Sequence, residues 1–414
     1  MMRNQILALL CLMACVAYIQ RAAVSVPAKT IATDLNFDSL ANGTGMVHTL
    51  WYLGYAVFQI PCGRLADRYG SRRVLALLCV LWSLLTFATA FSFNFYSMIF
   101  LWFLMGSAQA GAFPCAARAI SQQFDQSSRA FASGMLAAGM AVGGAVGPML
   151  AGKGLLWIPE LVSGTYLQGM AAWRLQLMFF MVPGVLWAIG FLLLVPQSCL
   201  PARSVSAEHA ESGMRHILKN PSTWLLCFQQ FFRAAGMVFF LTSFPLFLQE
   251  TRGVSEADSG MLTGLAGVGG IVGSVTGGLV SDWILRMTGN RWVARQGIAI
   301  LGMSICSVLI LISSAVSDVR VAIALIGCGV FAATFGGVSG YTVAIEFGGK
   351  RTATVFGVMN MFGNFGALLF PRVATSLVSM TGQWNLMLYL FAAIMAIDVV
   401  CWALLNPSKP VDVD

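Results

Sequence analysis

Charge is what this sequence has least of. Of 414 residues, 24 are Lys or Arg and 16 are Asp or Glu, so charged residues make up 10%, where a soluble domain carries about a quarter. Histidine occurs three times, and the ten cysteines form no CxxC pair. These shortages remove the usual spacings of zinc and disulfide frameworks. Nine of the cysteines, Cys11, Cys15, Cys62, Cys79, Cys115, Cys227, Cys306, Cys328 and Cys401, sit within or at the ends of apolar runs and read as small packing residues. A phosphate-cradling glycine loop, a metal motif and a nucleophile triad are all missing, so neither an enzyme nor a cofactor is expected. The formal charge of +8 is scattered over short loops without a continuous basic stripe, which argues against nucleic acid as a partner.

Apolar residues, by contrast, make up 58%, and mean hydropathy is +0.79. Runs of about twenty apolar residues, enough to cross a bilayer, fall near 4–28, 46–63, 74–92, 95–118, 130–151 and 173–195. Six more fall near 222–248, 259–281, 295–314, 319–345, 352–378 and 384–406. The first run looks like a signal peptide, with Arg3 before it and Ser25-Val26-Pro27-Ala28 as a small-residue site. Arg21 inside the run argues instead for a retained first helix. The expected fold is therefore an all-α membrane protein of twelve transmembrane helices in two six-helix halves. The boundaries are 1–195 for the first half, 196–221 for a polar linker with prolines at both ends, 222–406 for the second half and 407–414 for a tail. With both termini cytoplasmic, most Lys and Arg fall on cytoplasmic loops, as the positive-inside rule requires. A multi-pass protein of a plasma (inner) membrane, monomeric, is the expectation.

Two polar runs interrupt corresponding places in the halves. The first is Gly63-Arg64-Leu65-Ala66-Asp67-Arg68-Tyr69-Gly70-Ser71-Arg72-Arg73, and Gly278-Leu279-Val280-Ser281-Asp282 repeats its glycine-to-aspartate spacing. This is an internal repeat that makes the halves pseudo-symmetric. A carboxylate at a helix end can accept hydrogen bonds from the amides that begin a neighbouring helix, with arginines completing a gate. Gly63, Asp67, Arg68, Gly70, Arg72, Arg73 and Asp282 are the candidate gating residues. Glycines every four residues, Gly143 and Gly147 or Gly269, Gly273 and Gly277, suit close helix packing.

Few polar residues lie inside the spans. Tyr18, Arg21 and Ser25 share one helix face, as do His48, Tyr55 and Gln59. Arg21 precedes Gly63 by 42 residues and Arg233 precedes Gly278 by 45, so the two arginines hold nearly equivalent places in the halves. An arginine at bilayer depth costs roughly 2.5 to 3.5 kcal/mol on the insertion scale. No acid lies in helices 1, 2, 4 or 7 to offset it, which points to an anionic substrate clamped by one arginine from each half. Gln109, Phe113, Gln229, Asn360 and Asn364 are further pocket candidates. Glu346 and Lys350 read as a solvated pair at a cytoplasmic helix end, and Arg372 as a snorkelling side chain.

The repeated glycine and aspartate pattern resembles the signature of the major facilitator superfamily of transporters. Tyr18-Ile19-Gln20-Arg21-Ala22, Tyr55 through Gln59-Ile60-Pro61, Gly111-Ala112-Phe113-Pro114 and Gly357-Val358-Met359-Asn360-Met361-Phe362-Gly363-Asn364 resemble its anion:cation symporter branch. That branch includes bacterial sugar-acid carriers and the sialin and vesicular glutamate transporter family, in which residues like His48 and Arg233 line the anion site. The resemblance implies a carrier of a small organic anion with a possible coupling ion. It also implies two departures: Gln20 and Gln109 stand where proton symporters of the branch have carboxylates, and Trp102 stands where they have an arginine. The coupling candidates are then Gln20, His48 and Asp398, the one deep acid, on a last helix that is peripheral in the family. The glycines of helix 5 with Pro148 also look like those of drug/proton antiporters, the alternative reading.

Overall fold

The computed structural model describes residues 2–37, 40–202, 214–242, 244–254 and 256–406, and among them every regular element is helical. Much of the expected linker, 203–213, and the expected tail, 407–414, lie outside the described residues. The chain divides into two compact units, Met1–Gln123 with Gly139–Ser204, and Phe124–Ala138 with Val205–Asp414.

In chain order the helices are α1 (Met2–Ser25), α2 (Ala28–Asp34), α3 (Leu40–Tyr69), α4 (Ser71–Thr89), α5 (Phe95–Gln109), α6 (Ala112–Gln123), α7 (Arg129–Leu161) and α8 (Ala172–Leu194). There follow α9 (Pro221–Thr242), α10 (Phe244–Arg252), α11 (Glu256–Thr288), α12 (Ile298–Ala315), α13 (Val319–Gly348), α14 (Thr352–Thr381) and α15 (Asn385–Leu404). Among the described residues nine stretches are long and apolar enough to cross a membrane. The stretch Val319–Thr381 contains both α13 and α14. With α3 and the α9 and α10 pair added, the expected twelve crossings are accounted for.

The breaks have local causes. At Gly70 the backbone turns with φ 87°, a conformation open to glycine, and the turn lets α4 begin one residue after α3 ends. Between α5 and α6, Pro114 has no N–H to bond the Ala110 carbonyl, so the helix is interrupted there. Asn94 starts α5 with a reciprocal cap to Ser97.

Packing within each unit rests on small residues. On α7, Gly139, Gly143 and Gly147 lie against α1 near Cys11, Cys15 and Ile19; a Cβ added at the first two would collide with backbone, and at Gly147 it would be tightly pressed. In the second unit, Gly273 and Gly277 of α11 do the same against Phe331 and Phe335 of α13. Close backbone approach explains both glycine series, because lipid supplies no hydrophobic drive between helices and contact must come from fit. The second unit also holds a cluster of Met303, Ile310, Phe370, Phe391 and Met395 among others.

One segment departs from the expected division at residue 195. The turn and first helical residues of 124–138 fall with the second unit. The physical tie is Asp282, whose carboxylate accepts from the backbone N–H of Ala130 at 3.3 Å and of Phe131 at 2.7 Å, at the start of α7.

Candidate functional site

The first unit builds its site around Arg21. Tyr18 lies one turn before it on α1, and Trp51 and Tyr55 lie one turn apart on α3. The guanidinium carbon is 4.4 Å from the Tyr18 ring centre, 4.3 Å from Trp51 and 4.8 Å from Tyr55. Trp51 and Tyr55 stack on one another at 4.8 Å. Gly106 on α5 allows the Trp51 backbone to come close, which brings the end of α5 to α1. There Gln109 accepts from Arg21 Nε at 2.7 Å and donates to the Ala17 carbonyl at 3.1 Å. Aromatic rings cover the guanidinium, and Nε is engaged. Its remaining donors are on the terminal edge, where Nη2 is buried without a hydrogen-bond partner among the described residues. That edge is the fork which binds a carboxylate or sulfonate in its plane.

Gln109 was expected to touch substrate, and the structure makes it the residue that orients Arg21. A carboxamide does both tasks; a carboxylate in its place could not donate to the Ala17 carbonyl and would neutralise the arginine. Further along the α3 face, His48 is half-buried two turns before Tyr55. Gln59, one turn after Tyr55, is fully buried, with neither carboxamide atom hydrogen-bonded among the described residues. Leaving such a group unpaired costs about 1 to 3 kcal/mol.

Gln20, though adjacent to Arg21, points the other way. Its Nε2 donates to the Phe180 carbonyl at 2.8 Å and to Ser83 Oγ at 3.2 Å, and its Oε1 accepts from Trp82 Nε1 at 2.7 Å. The side chain is a buried tie among α1, α4 and α8, not a residue beside the arginine. Gln20→Leu is therefore expected to lower the melting temperature of the purified carrier by about 4 °C or more, since each orphaned partner costs about 1 to 3 kcal/mol. An unchanged melting curve would remove this structural role. Gln20→Asp should also destabilise, because an ionised carboxylate faces the Phe180 carbonyl.

In the second unit Arg233 directs Nε and Nη2 at Gln230 Oε1, at 3.2 and 2.9 Å, and lies 5.3 Å from the Tyr341 ring centre. Gly337 on α13 leaves it room, since a Cβ there would press on Cδ and Nη1. Gln229 donates to the Leu226 carbonyl at 2.8 Å, and its buried Oε1 has no hydrogen-bond partner among the described residues. Asn364 donates to the Asn360 carbonyl at 2.7 Å within α14, so that pair is tied locally. The four ion pairs among the described residues involve neither Arg21 nor Arg233. Asp398, the deep acid of the last helix, is fully buried, and Arg233 is the charge that acts on it.

The two aspartates of the repeat have different settings. Asp67 pairs with Arg118 of α6 at 2.7 Å, both side chains buried. The arginines beside Asp67 in sequence go elsewhere: Arg72 donates at 2.5 Å to the carbonyls of Leu192 and Val195 at the end of α8, Arg73 donates to Gln197, and Arg68 lies over the Tyr69 ring. Gly63 is buried within α3, and Gly70 supplies the turn. Asp282 meets Arg295 at 2.9 Å, and the same guanidinium reaches Ser281 Oγ at 2.7 Å, Glu346 at 2.8 Å and the Gln126 carbonyl at 2.5 Å. Arg295 rides on a single π-helical turn, Val293–Gly297, a widened turn that re-aims its side chains. Glu346 is thus not half of a solvated pair with Lys350 but part of a buried cluster. Arg372 is exposed. Trp51, Gln230, Arg118 and Arg295 were not singled out by sequence. Gln230, three residues before Arg233, carried a usable signal in its helical spacing.

A family model described as Major Facilitator Superfamily matches residues 10–344 and, in a second match, 226–413. Similar proteins include a probable sulfoacetate transporter, SauU, of Cupriavidus necator, 26% identical over 99% of this chain and 95% of that protein. A hexuronate transporter of Bacillus subtilis is 25% identical over 89% and 86%. A probable galactarate/D-glucarate transporter, GarP, of Escherichia coli is 26% identical over 97% and 94%. Among solved structures, the E. coli fucose:proton symporter FucP aligns with a TM-score of 0.75 at 14% identity, over 97% of this chain and 98% of that one. The human organic anion transporter MFSD10 aligns at 0.73 with 13% identity, over 97% and 99%. At these identities the structures speak to fold alone.

Proposed function

The chain belongs to the Major Facilitator Superfamily, and we propose that it carries a small organic anion, a sugar acid or a comparable carboxylate or sulfonate, by alternating access. Membership makes it a membrane carrier and not an enzyme. The observation that carries the anion reading is Arg21, a guanidinium capped by rings, oriented by Gln109 and left with a terminal fork and no acid. Arg233, held by Gln230, is its counterpart in the second unit. Relatives named for sulfoacetate, hexuronate and galactarate or glucarate support the same substrate class. Tyr18, Tyr55, His48 and Gln59 offer phenol, imidazole and amide groups to hydroxyls of such a substrate, and Asn360 and Asn364 are assigned the same role in the second unit. The antiporter alternative is not favoured, because the relatives are named for organic anions and the packing of α7 on α1 gives Gly143 and Gly147 another reason.

Gating is assigned to the two aspartates. Asp282 holds the first amides of α7 in this state, and moving between states requires that hold to be released; Asp67 with Arg118 is the corresponding device of the first unit. The positive-inside rule places both termini and the Arg64 to Arg73 loop on the cytoplasmic side of a plasma (inner) membrane. A monomer is the working unit.

A thermal-shift panel on purified protein tests the substrate class. Sulfoacetate, galactarate, glucarate and a hexuronate are compared with fucose as a neutral sugar. At a hundredfold excess over Kd a ligand stabilises by about 2.7 kcal/mol, so at least one anion should raise the melting temperature while fucose does not. Stabilisation by fucose alone would overturn the anion reading.

A further inference from the structure

Asp398 on α15 is completely buried, and neither carboxylate oxygen has a hydrogen-bond partner among the described residues. A carboxylate in that condition is costly, because an unpaired charge in an apolar interior loses its hydration without compensation. One turn further on, Trp402 buries an indole N–H that is also without a hydrogen-bond partner. Helix α15 runs antiparallel to α9, as the bond from Ser222 Oγ, at the start of α9, to the Asn406 carbonyl beyond the end of α15 requires, at 2.8 Å. The helices touch where Gly236 of α9 faces Met395 and Phe391 of α15. From that contact, Arg233 lies one turn back along α9 and Asp398 one turn on along α15. In antiparallel helices those are steps toward the same end, so the two residues share a level.

The charged and titratable groups around Asp398 are few. Arg233 lies at its level on α9, Cys306 is on α12, and Cys401 follows on α15 itself. The single charged residue of α14, Arg372, is exposed. Among the described residues Arg233 is therefore the one cation at the level of the carboxyl, and it is also the arginine assigned to the substrate.

We propose that Asp398 is the proton-binding site that couples transport, with Arg233 shared between it and the anion. When an anion occupies Arg233, the cation is neutralised and Asp398 holds its proton. When the anion leaves, the charge of Arg233 favours the ionised carboxyl, and the proton passes to water. Proton and anion thus bind together and leave together, which is symport; no bond of the substrate breaks. Such coupling is reciprocal, so the proton must tighten the anion as much as the anion tightens the proton. The shared role of Arg233 rests on the anion reading, whereas proton binding by Asp398 does not.

Two measurements decide it. Infrared difference spectra of the substrate-free carrier, recorded between acid and alkaline buffer, should contain a titrating carbonyl-stretch band of a buried protonated carboxyl that is missing from Asp398→Asn. Absence of the band from wild type, or its persistence in Asp398→Asn, overturns proton binding at this residue. Sulfoacetate, whose sulfonate stays ionised throughout, should bind wild type more tightly as pH falls, by up to about tenfold per pH unit for one coupled proton. Asp398→Asn should bind it with no such slope, and accumulation on an imposed proton gradient should fall to the equilibrium level. An unchanged slope in Asp398→Asn overturns the coupling. If none of sulfoacetate, galactarate, glucarate and the hexuronate binds wild type, the anion reading fails, and the infrared result alone still decides Asp398.

Discussion

Arg21→Gln is expected to abolish detectable binding of the anionic substrate while the protein remains folded in the membrane. Truncating one member of a buried, hydrogen-bonded charge pair costs about 2 to 5 kcal/mol, a loss of roughly 30-fold to several-thousand-fold in Kd. Folding should survive, since the variant removes a charge that no acid balances and leaves the Gln109 bond to Ala17 in place. Arg21→Lys should rescue poorly. An ammonium is a point charge that cannot bond Gln109 and present a planar fork at once. Equilibrium binding of whichever panel anion stabilises wild type is the readout, with the melting curve as the folding control. Binding within threefold of wild type in Arg21→Gln would remove the arginine from the site.

Arg295→Gln should be the most destabilising single change in the second unit. One guanidinium there serves Asp282, Glu346, Ser281 and the Gln126 carbonyl, with its side chain 1% exposed. Removing it takes the cation from two acids, leaving Asp282 only its bonds from the Ala130 and Phe131 amides, and breaking a buried pair from one side costs about 3 to 5 kcal/mol. A fall in melting temperature of about 10 °C follows. Arg295→Lys should recover little, because three rotatable donors on a flexible stem do not reach four acceptors spread over three segments. A wild-type melting curve for Arg295→Gln would show that the acids find other partners.

These two arginines show how unevenly the site could be read along the chain. Arg21 was visible because a charge inside an apolar run is conspicuous and needs a reason. Arg295 sits near the start of a span, where a basic residue looks like ordinary interfacial anchoring, and nothing local announces that Asp282, Glu346 and Gln126 converge on it. Asp67 was likewise visible, yet its partner turned out to be Arg118, 51 residues away, and not the arginines beside it. Gln20 reads as a lost proton carrier because the family resemblance puts a carboxylate at its position, just before Arg21. Successive helical residues point about 100° apart, and Gln20 faces Trp82 and Ser83 instead.

The sequence by itself determined the number of crossings, the two-unit repeat and the pair of arginines inside apolar runs. Each of these depends on length, apolar content or spacing along one segment, and such properties survive without knowledge of neighbours. Only the tertiary structure decided that Gln109 orients Arg21, that Gln230 holds Arg233, that Arg118 and Arg295 answer the two aspartates, and that Asp398 shares a level with Arg233. The reason lies in the solvent. In a soluble helix the polar face marks what points outward, but in a bilayer the lipid side and the protein side are equally apolar. Amphipathic pattern therefore cannot report which face is turned inward, and the partners of each buried polar group appear only once the helices have packed.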